Sequence, residues 1–280
     1  MFRNAVLGHR PVTRTAPQRE GGYKLARIRV TFDGAVAVNG SPLLMHNERL
    51  ADPIDPYTRW LKELTGKTKK TERDQEEIGR REFMGGGYWA KDGGPSGKRS
   101  DPIVPTWNII RCLQEAASRH KLGRHVVRGI VPVSEETPLI YDGPAGADEL
   151  WNTGLFHSRK GVGVGQKRVI RTRPCFTDWS VDTELELDLT ILDPDTVDLI
   201  ARQAGIYFGL GDARPRFGRF AGSAELVGDP AEYVAPDVLD DVRSKMAAAT
   251  AGASIKSRDE VHGESHPNGK ERKERVLNSK

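Results

Sequence analysis

Residues 178–191 alternate between side chains suited to a protein core and acidic side chains, with a period of two. Successive side chains of a β-strand point to opposite faces, so this pattern predicts a strand with one buried face and one acidic face. The inward positions are Trp179, Val181, Thr183, Leu185, Leu187 and Leu189. A helix start follows directly, because Asp193 is a good N-cap and Pro194 suits the first helical turn. This segment constrains the fold to a sheet with one solvent-facing side, followed by a helix.

The same rules locate the other elements of the chain. Alternation over residues 23–38 predicts a strand with Leu25, Ile28, Val30 and Phe32 on its inner face. Apolar residues at helical spacing predict helices over residues 56–64 and 106–120, with Trp60 and Trp107 in the core. A third helix, over residues 71–83, is mostly charged and is expected to lie at the surface. Further strands are predicted over residues 125–133, 161–173 and 217–227. The helix that begins at Pro194 is expected to end at Gly205.

In chain order these elements contain the β-α-β-β-α-β pattern of the ferredoxin-like α+β fold, with one strand more than the pattern has. The first helical position is enlarged by a helical insertion over about residues 48–122. We expect one ferredoxin-like domain over residues 22–240. Residues 1–21 and 241–280 are polar and lack apolar periodicity, so we expect a basic disordered N-terminal tail and a disordered C-terminal tail.

Hydropathy and cysteine usage indicate the cellular environment. The chain has no run of eighteen apolar residues, and no signal-peptide pattern opens it, so we expect no membrane partner. Cys112 and Cys175 are far apart, and neither belongs to a C-x-x-C pair. Two isolated thiols favour a reducing compartment over a disulfide framework. The expectation is a cytoplasmic protein.

Charge is unevenly distributed along the chain, although the net charge is only +4. Residues 158–174 contain no acid and include Arg159, Lys160, Lys167, Arg168, Arg171 and Arg173. Residues 178–198 contain acids and no base. This segregation favours one basic face that binds a polyanion and one acidic face that meets a neighbouring subunit. The alternative is that the two segments pair with each other across a hairpin.

A loop rich in glycine and arginine, GIYFGLGDARPRFGRF over residues 205–220, separates the helix after Pro194 from the last strand. Glycine permits sharp turns and close approach to a ligand, and successive free N–H groups can bind an anion. Arginine adds forked donors that match phosphate. The candidate residues are Gly209, Gly211, Gly218, Arg214, Arg216 and Arg219. The alternative is a helix end and a turn whose arginines only keep the loop hydrated.

This loop and the order of elements around it resemble the RAMP superfamily of ferredoxin-like proteins. Members of that superfamily build CRISPR effector backbones and process guide RNA, with a glycine-rich loop between the last helix and the last strand. The stretches RTRPCFTDW and GLGDARPRFGRF also resemble uncharacterised bacteriophage-encoded proteins. The resemblance implies single-stranded RNA or DNA as a partner and a homo-oligomer or multi-subunit complex assembled along the strand. It also implies a bacterium or a phage-infected host cell as the setting.

A cationic track is predicted beside the loop. Alternation places Lys167, Arg171 and Arg173 on one face of their strand and Arg168 on the other. Such a face suits a single strand, because phosphates pair with the cations while bases stack on a nearby ring. The candidate rings are Phe176, Tyr207 and Phe217. We expect the arginines of the loop to face solvent without carboxylate partners of their own. The alternative is an edge strand that uses charge against aggregation.

A second basic cluster lies in the insertion and includes Lys69 and Lys70. One interpretation is an electrostatic arm that closes over a bound strand, and the other is an ordinary solvated loop.

No catalytic, metal or cofactor site is predicted. Phosphate-loop, nucleophile-elbow and dinucleotide motifs are absent, and no histidine has a partner at metal-ligand spacing. We therefore expect a non-enzymatic protein that binds nucleic acid. Two alternatives stay open. One is an RNA-processing nuclease on the same fold that uses His46 or His157. The other is a phage structural or host-interaction protein whose basic patches bind an acidic protein.

Overall fold

A computed structural model describes residues 24–35, 41–165 and 167–228 of the chain, so the predicted tails lie outside the described residues. The described part is a mixed α+β structure. Its helices are α1 (Pro56–Thr65), α2 (Glu72–Gly86), α3 (Thr106–Ser118), α4 (Gly123–Gly129), α5 (Ala147–Thr153) and α6 (Pro194–Gln203). Its strands are β1 (Leu25–Asp33), β2 (Leu43–Leu44), β3 (Ile103–Pro105), β4 (Ile130–Pro132), β5 (Glu136–Tyr141), β6 (His157–Val164), β7 (Lys167–Phe176), β8 (Trp179–Asp188) and β9 (Ala221–Val227).

Local signals set the helix ends. The predicted N-cap of α6 is confirmed, because the Asp193 carboxylate accepts a hydrogen bond from the Thr196 N–H at 2.8 Å. Such a cap contributes about 1 kcal/mol to stability. The prediction that Gly205 ends this helix is wrong, because the chain continues through a π-helical turn and stops at Gly209. Residues 48–122 hold α1, α2 and α3, and also the short strand β3.

The main sheet has the strand order β3-β5-β8-β1-β9, and β4 pairs with β8 beside β5. Each of these pairings is antiparallel. The predicted alternation of β8 is confirmed, with Trp179 and Leu187 buried and Asp182 exposed. In β1, Ala26 rather than Leu25 takes the first inward position, because the buried residues there keep a strict period of two.

Helices cover the buried face of this sheet. Side chains of α3 and α6 share one core with those of β1 and β8. Burying an aliphatic side chain of this kind contributes roughly 1.5–3 kcal/mol. Phe32 of β1 stacks on Phe220 with 3.9 Å between ring centroids, which fixes the start of β9 in the core. In the described ranges, no helix has both the length and the apolar character needed to cross a lipid bilayer.

A second sheet contains the strands β2, β7 and β6 in that order. The strands β6 and β7 form a hairpin in which Lys160 lies opposite Arg171. Gly165 lies between the two strands with a φ of +58°, a conformation that glycine adopts without strain. The prediction of one continuous strand over residues 161–173 is therefore wrong, because the chain reverses near Gly165.

The strand predicted over residues 125–133 is wrong in its first half. This half belongs to α4, and only Ile130–Pro132 pair with β8. Val126 is buried, Val127 is 54% exposed, and Ile130 is the next buried apolar residue, as expected for one face of a helix. The run of β-branched residues concealed this helical spacing.

The acidic face of β8 meets arginines of β1. Arg27 Nη1 lies 3.6 Å from Glu184 Oε2, and Arg29 lies within 4 Å of Asp182, Glu184 and Glu225. These ion pairs do not involve the basic segment 158–174. The alternative that the two charged segments neutralise each other across a hairpin is therefore wrong for these carboxylates.

Candidate functional site

The glycine-arginine loop, residues 209–219, has a backbone that requires glycine. Gly209, Gly211 and Gly218 have φ angles of +77°, +82° and +73°. A Cβ atom added to Gly218 would lie 1.7 Å from the carbonyl oxygen of Leu210, which is far inside van der Waals contact. The Leu210 N–H also donates to the Gly218 carbonyl at 2.8 Å and closes the loop. Only glycine fits at this crossing.

Hydrogen bonds hold the loop against β2 and α3. The Asp212 N–H donates to the Leu44 carbonyl at 2.7 Å, and the Cys112 thiol donates to the Gly209 carbonyl at 3.2 Å. The Gly209 N–H donates to the Ala204 carbonyl at 2.8 Å. The N–H groups of Gly209, Leu210 and Asp212 are therefore used inside the protein. This differs from the expectation that N–H groups near Gly209 bind an anion.

The structure brings the second sheet and the loop together, with two contacts between them. Arg173 Nη1 of β7 lies 2.7 Å from Asp212 Oδ2, and Lys160 Nζ of β6 lies 4.6 Å from the ring centroid of Phe217. Arg216 approaches the same ring, with 5.9 Å from its Cζ to the centroid. Cations at these distances are attracted to the face of an aromatic ring. Phe217 therefore anchors positive charge from two separate segments.

Three of the predicted arginines have carboxylate partners, and for Arg214 this differs from the expectation that the arginines of the loop are unpaired. Arg173 pairs with Asp212 at 2.7 Å. Arg171 Nη1 lies 2.6 Å from Glu82 Oε1, and Arg214 Nη1 lies 3.0 Å from Glu115 Oε2. The positive charge of β7 and of the loop is thus partly neutralised by the protein itself, which lowers the charge available to a polyanion.

Other cations of the same region are not ion-paired. Within the residues that the structure describes, no salt bridge involves Lys160, Arg216 or Arg219. Arg219 Nε donates to the Pro215 carbonyl at 3.0 Å, and Arg216 is exposed. We call Lys160, Arg216 and Arg219, together with the Phe217 ring, the cationic surface. Sequence reasoning omitted Lys160 from the site, although recognition of the β6–β7 hairpin would have placed it opposite Arg171.

The remaining predicted cations lie elsewhere. Lys167 opens β7, and Arg168 is exposed on the side of the strand opposite Arg171. Lys69 and Lys70 lie between α1 and α2, where Lys70 Nζ donates to the Lys67 carbonyl at 2.6 Å. No hydrogen bond, ion pair or ring contact in the described ranges joins these two lysines to the loop.

A cavity of about 220 Å³ opens beside the loop, between β2, β3 and α3. Its apolar wall is formed by Leu43, Met45, Val104, Pro105 and Leu210. Its polar lining is formed by His46, Tyr88, Asn108, Arg111, Asp212 and Arg214. Glu115 holds two of these cations together, because it lies 3.0 Å from Arg111 Nε and 3.0 Å from Arg214 Nη1. Arg111 and this cavity carried no signal in the sequence, since their parts come from four separate segments.

The two histidines considered for catalysis lie in different surroundings. Burial and the nearby Arg173 lower the pKa of His46, so its imidazole is neutral at pH 7. Burial, followed by Arg159, lowers the pKa of His157. His157 stacks on Trp151 with 4.8 Å between ring centroids, so it serves mainly to pack an aromatic cluster. Only His46 lines the cavity beside the loop.

The candidate aromatic residues differ widely in their exposure to solvent. Phe176 is fully buried and Phe217 is 9% exposed, whereas Tyr207 is 52% exposed beneath the guanidinium of Arg119. Trp107, predicted to lie in the core, is 55% exposed on α3. It precedes Arg111 by one helical turn, so both lie on the same side of the helix. The buried stripe of α3 instead runs through Ile109, Ile110 and Leu113.

In the described ranges, no group of three or more His, Cys, Asp or Glu side chains is placed to hold a metal ion. Comparison with known proteins does not assign the site, because no protein-family model matches the chain and no curated protein matches it.

Proposed function

We propose that this chain binds single-stranded nucleic acid, RNA or DNA, across the cationic surface. The observation that supports this best is the convergence of Lys160 and Arg216 on Phe217, with Arg219 two residues further along the loop. These cations come from two distant segments and have no carboxylate partner among the described residues. Cations held in fixed positions and free of ion pairs are suited to successive phosphates.

A preference for single strands is supported by Trp107. An exposed tryptophan provides a flat surface on which an unpaired base can stack, whereas the bases of a duplex are already stacked on each other. Trp107 lies on the same side of α3 as Arg111, which Glu115 joins to Arg214 of the loop. A ring and positive charge are therefore combined on one side of the protein.

We also propose that the main sheet is ferredoxin-like. Its four strands would be β1, β8, β9 and a strand made of the two short segments β4 and β5, which both pair with β8. The order β5-β8-β1-β9 supports this, because the first and third strands of a β-α-β-β-α-β chain lie at the centre of the sheet. In this arrangement α3 and α6 are the two helices, and the β6–β7 hairpin is an insertion between the second and third strands. The likeness to RAMP proteins in the glycine-arginine loop agrees with this assignment.

Assembly of several copies along one strand is the remaining part of the proposal. The open face of the main sheet has more carboxylates than arginines, with Asp182, Glu184 and Glu225 against Arg27 and Arg29. Such a face repels phosphate, so it is better suited to a protein contact. Two free cysteines agree with the reducing cytoplasm of a bacterium or a phage-infected host cell.

Fluorescence anisotropy with a labelled single-stranded oligonucleotide tests the proposal. Three phosphate contacts predict that log K falls with log salt with a slope of about −2, since each contact contributes roughly 0.7 on a single strand. Arg216→Glu and Arg219→Glu should each weaken binding and reduce this slope by about 0.7. Arg128→Glu on α4 is the matched control, because it makes the same change of charge on a helix that packs against α3, β4 and β8. Absence of binding to any RNA or DNA oligonucleotide at low salt would contradict the proposal.

A nuclease is a second candidate, favoured by the position of His46 alone. This neutral imidazole lines the cavity together with Asp212 and Tyr88, so it can accept a proton. Incubation with labelled RNA and DNA, with and without divalent metal, tests this candidate. Cleavage by the wild type that is lost in His46→Ala would support it.

An acidic protein is the alternative partner for the same cations. Co-purification without nucleic acid, with partner binding retained in Arg214→Ala and Arg216→Ala, would favour a structural or host-interaction role. The ratio of absorbance at 260 and 280 nm after gentle purification distinguishes the two partners at the outset.

A further inference from the structure

The cavity between β2, β3 and α3 combines an apolar wall with a polar mouth. Leu43, Val104 and Leu210 are each almost fully buried and form the wall. Asn108 on α3 and Tyr88 provide hydrogen-bonding groups at the mouth. A site that binds a planar heterocycle needs this combination, because the ring faces require apolar contact and the ring edge requires donors and acceptors.

The volume of the cavity limits the ligand. At about 220 Å³ it is smaller than the roughly 300–1,000 Å³ of pockets that enclose a drug-sized molecule. A whole nucleotide is too large to enter, whereas one ring system of a base fits. The sugar and phosphate of that nucleotide would then remain outside, at the mouth.

Positive charge lies at that mouth. Arg111 and Arg214 both contact Glu115 at 3.0 Å, so two guanidinium groups are held side by side with one carboxylate between them. Their combined charge stays positive, and their forked donors match phosphate. The Arg111 side chain is 65% exposed, which leaves it free to reach an incoming group.

The polar groups at the mouth suit the edge of a base. Asn108 and the Tyr88 hydroxyl line the cavity, and each can donate or accept a hydrogen bond there. Asp212 also lines the cavity, with its Oδ2 paired to Arg173 at 2.7 Å.

Building on the proposed function, we infer that this cavity accepts one unstacked base of the bound single strand while Arg111 and Arg214 bind its phosphate. Trp107, one turn before Arg111 on α3, then provides the stacking surface for the adjacent base. The cationic surface contributes affinity that depends on charge alone, whereas the cavity and Trp107 add affinity that depends on the bases.

Two single-stranded oligonucleotides with the same number of phosphates distinguish the affinity that depends on charge from the affinity that depends on the bases. One carries normal bases, and the other carries a stable abasic tetrahydrofuran analogue at every position. In anisotropy titrations at fixed salt, the wild type should bind the normal strand about tenfold more tightly than the abasic one. Asn108→Met should reduce this difference strongly, because a long side chain from an exposed helical position fills the mouth. Asn108→Ala is the comparison variant: it removes the same amide but leaves the cavity open, so it should reduce the difference less than Asn108→Met does.

A second variant, Val104→Met, narrows the cavity from its buried apolar wall, with circular dichroism as a check on folding. Retention of the full difference by both Met variants would overturn the inference. Equal binding of the two strands by the wild type, with a steep salt dependence, would also overturn it and leave the proposed function standing. No binding of either strand would overturn both.

Discussion

Arg173 of β7 and Asp212 of the glycine-arginine loop form an ion pair with 2.7 Å between Nη1 and Oδ2. This contact joins the second sheet to the loop, on the side where Lys160 meets the Phe217 ring. The same contact neutralises one guanidinium that would otherwise face a phosphate. Asp212 therefore orders the site and lowers its charge at the same time.

Asp212→Ala is expected to change stability and binding in opposite directions. It should lower the free energy of unfolding by about 1 kcal/mol, because the pair is partly exposed and screened by solvent. It should also free Arg173 and steepen the salt dependence of oligonucleotide binding by about 0.7 in slope. Urea unfolding and anisotropy measure the two effects. The double variant with Arg173→Ala is the control and should show no steepening, whereas an unchanged slope in Asp212→Ala itself would place Arg173 away from phosphate.

Gly218→Ala and Gly154→Ala add the same methyl group at the same φ of +73° but in different surroundings. Nothing lies within 4 Å of a Cβ at Gly154, so only the left-handed backbone penalty of about 1 kcal/mol applies. At Gly218 the new Cβ overlaps the Leu210 carbonyl, and the hydrogen bond that closes the loop must break. We expect Gly218→Ala to lower the free energy of unfolding by about 3 kcal/mol in urea titrations. Equal losses in the two variants would show that the loop relaxes freely.

Elements with a regular period could be predicted from the sequence, because burial on one face imposes that period directly. The strand β8 and the capped start of α6 are examples. The prediction of a strand over the α4 segment failed, because its consecutive β-branched residues fit either a strand or a short helix. The prediction of a core position for Trp107 failed, because the apolar stripe of α3 is centred on Ile109 and Leu113, which turns Trp107 toward solvent.

The charge state of the site could not be predicted, because its ion pairs join distant parts of the chain. Arg171 and Glu82 are 89 positions apart, and Arg214 and Glu115 are 99 apart. No local pattern encodes such contacts. The sequence indicated some of the cations near the loop but omitted Lys160, and only the tertiary structure separates the paired arginines from Arg216.

Substitutions of Glu82 test how the second sheet is held against α2. This buried carboxylate accepts from Arg171 Nη1 at 2.6 Å and from the Thr172 N–H at 2.8 Å. Glu82→Ala leaves a buried N–H without an acceptor, so we expect a loss of about 3 kcal/mol in the free energy of unfolding. Glu82→Gln keeps an oxygen that can accept from Thr172, and its loss should be about half as large. Equal losses measured by urea unfolding would assign the effect to charge rather than to the N–H group.

Cys112 makes the free energy of unfolding depend on pH in the alkaline range. Burial raises the pKa of its thiol from 9.0 to about 12. A group with a higher pKa in the folded state contributes stability below its unfolded pKa, and that contribution is lost as pH rises toward the folded value. Above about pH 9 the wild type should therefore lose up to about 1.4 kcal/mol per pH unit from this group.

Cys112→Ala removes that dependence, so urea unfolding at stepped pH should show a shallower decline above about pH 9 and parallel curves near neutrality. Tyr57 and Tyr141, whose pKa values burial raises to about 12, act alike in both proteins and cancel in the comparison. Identical declines would mean that the thiol is not buried against the Gly209 carbonyl in solution.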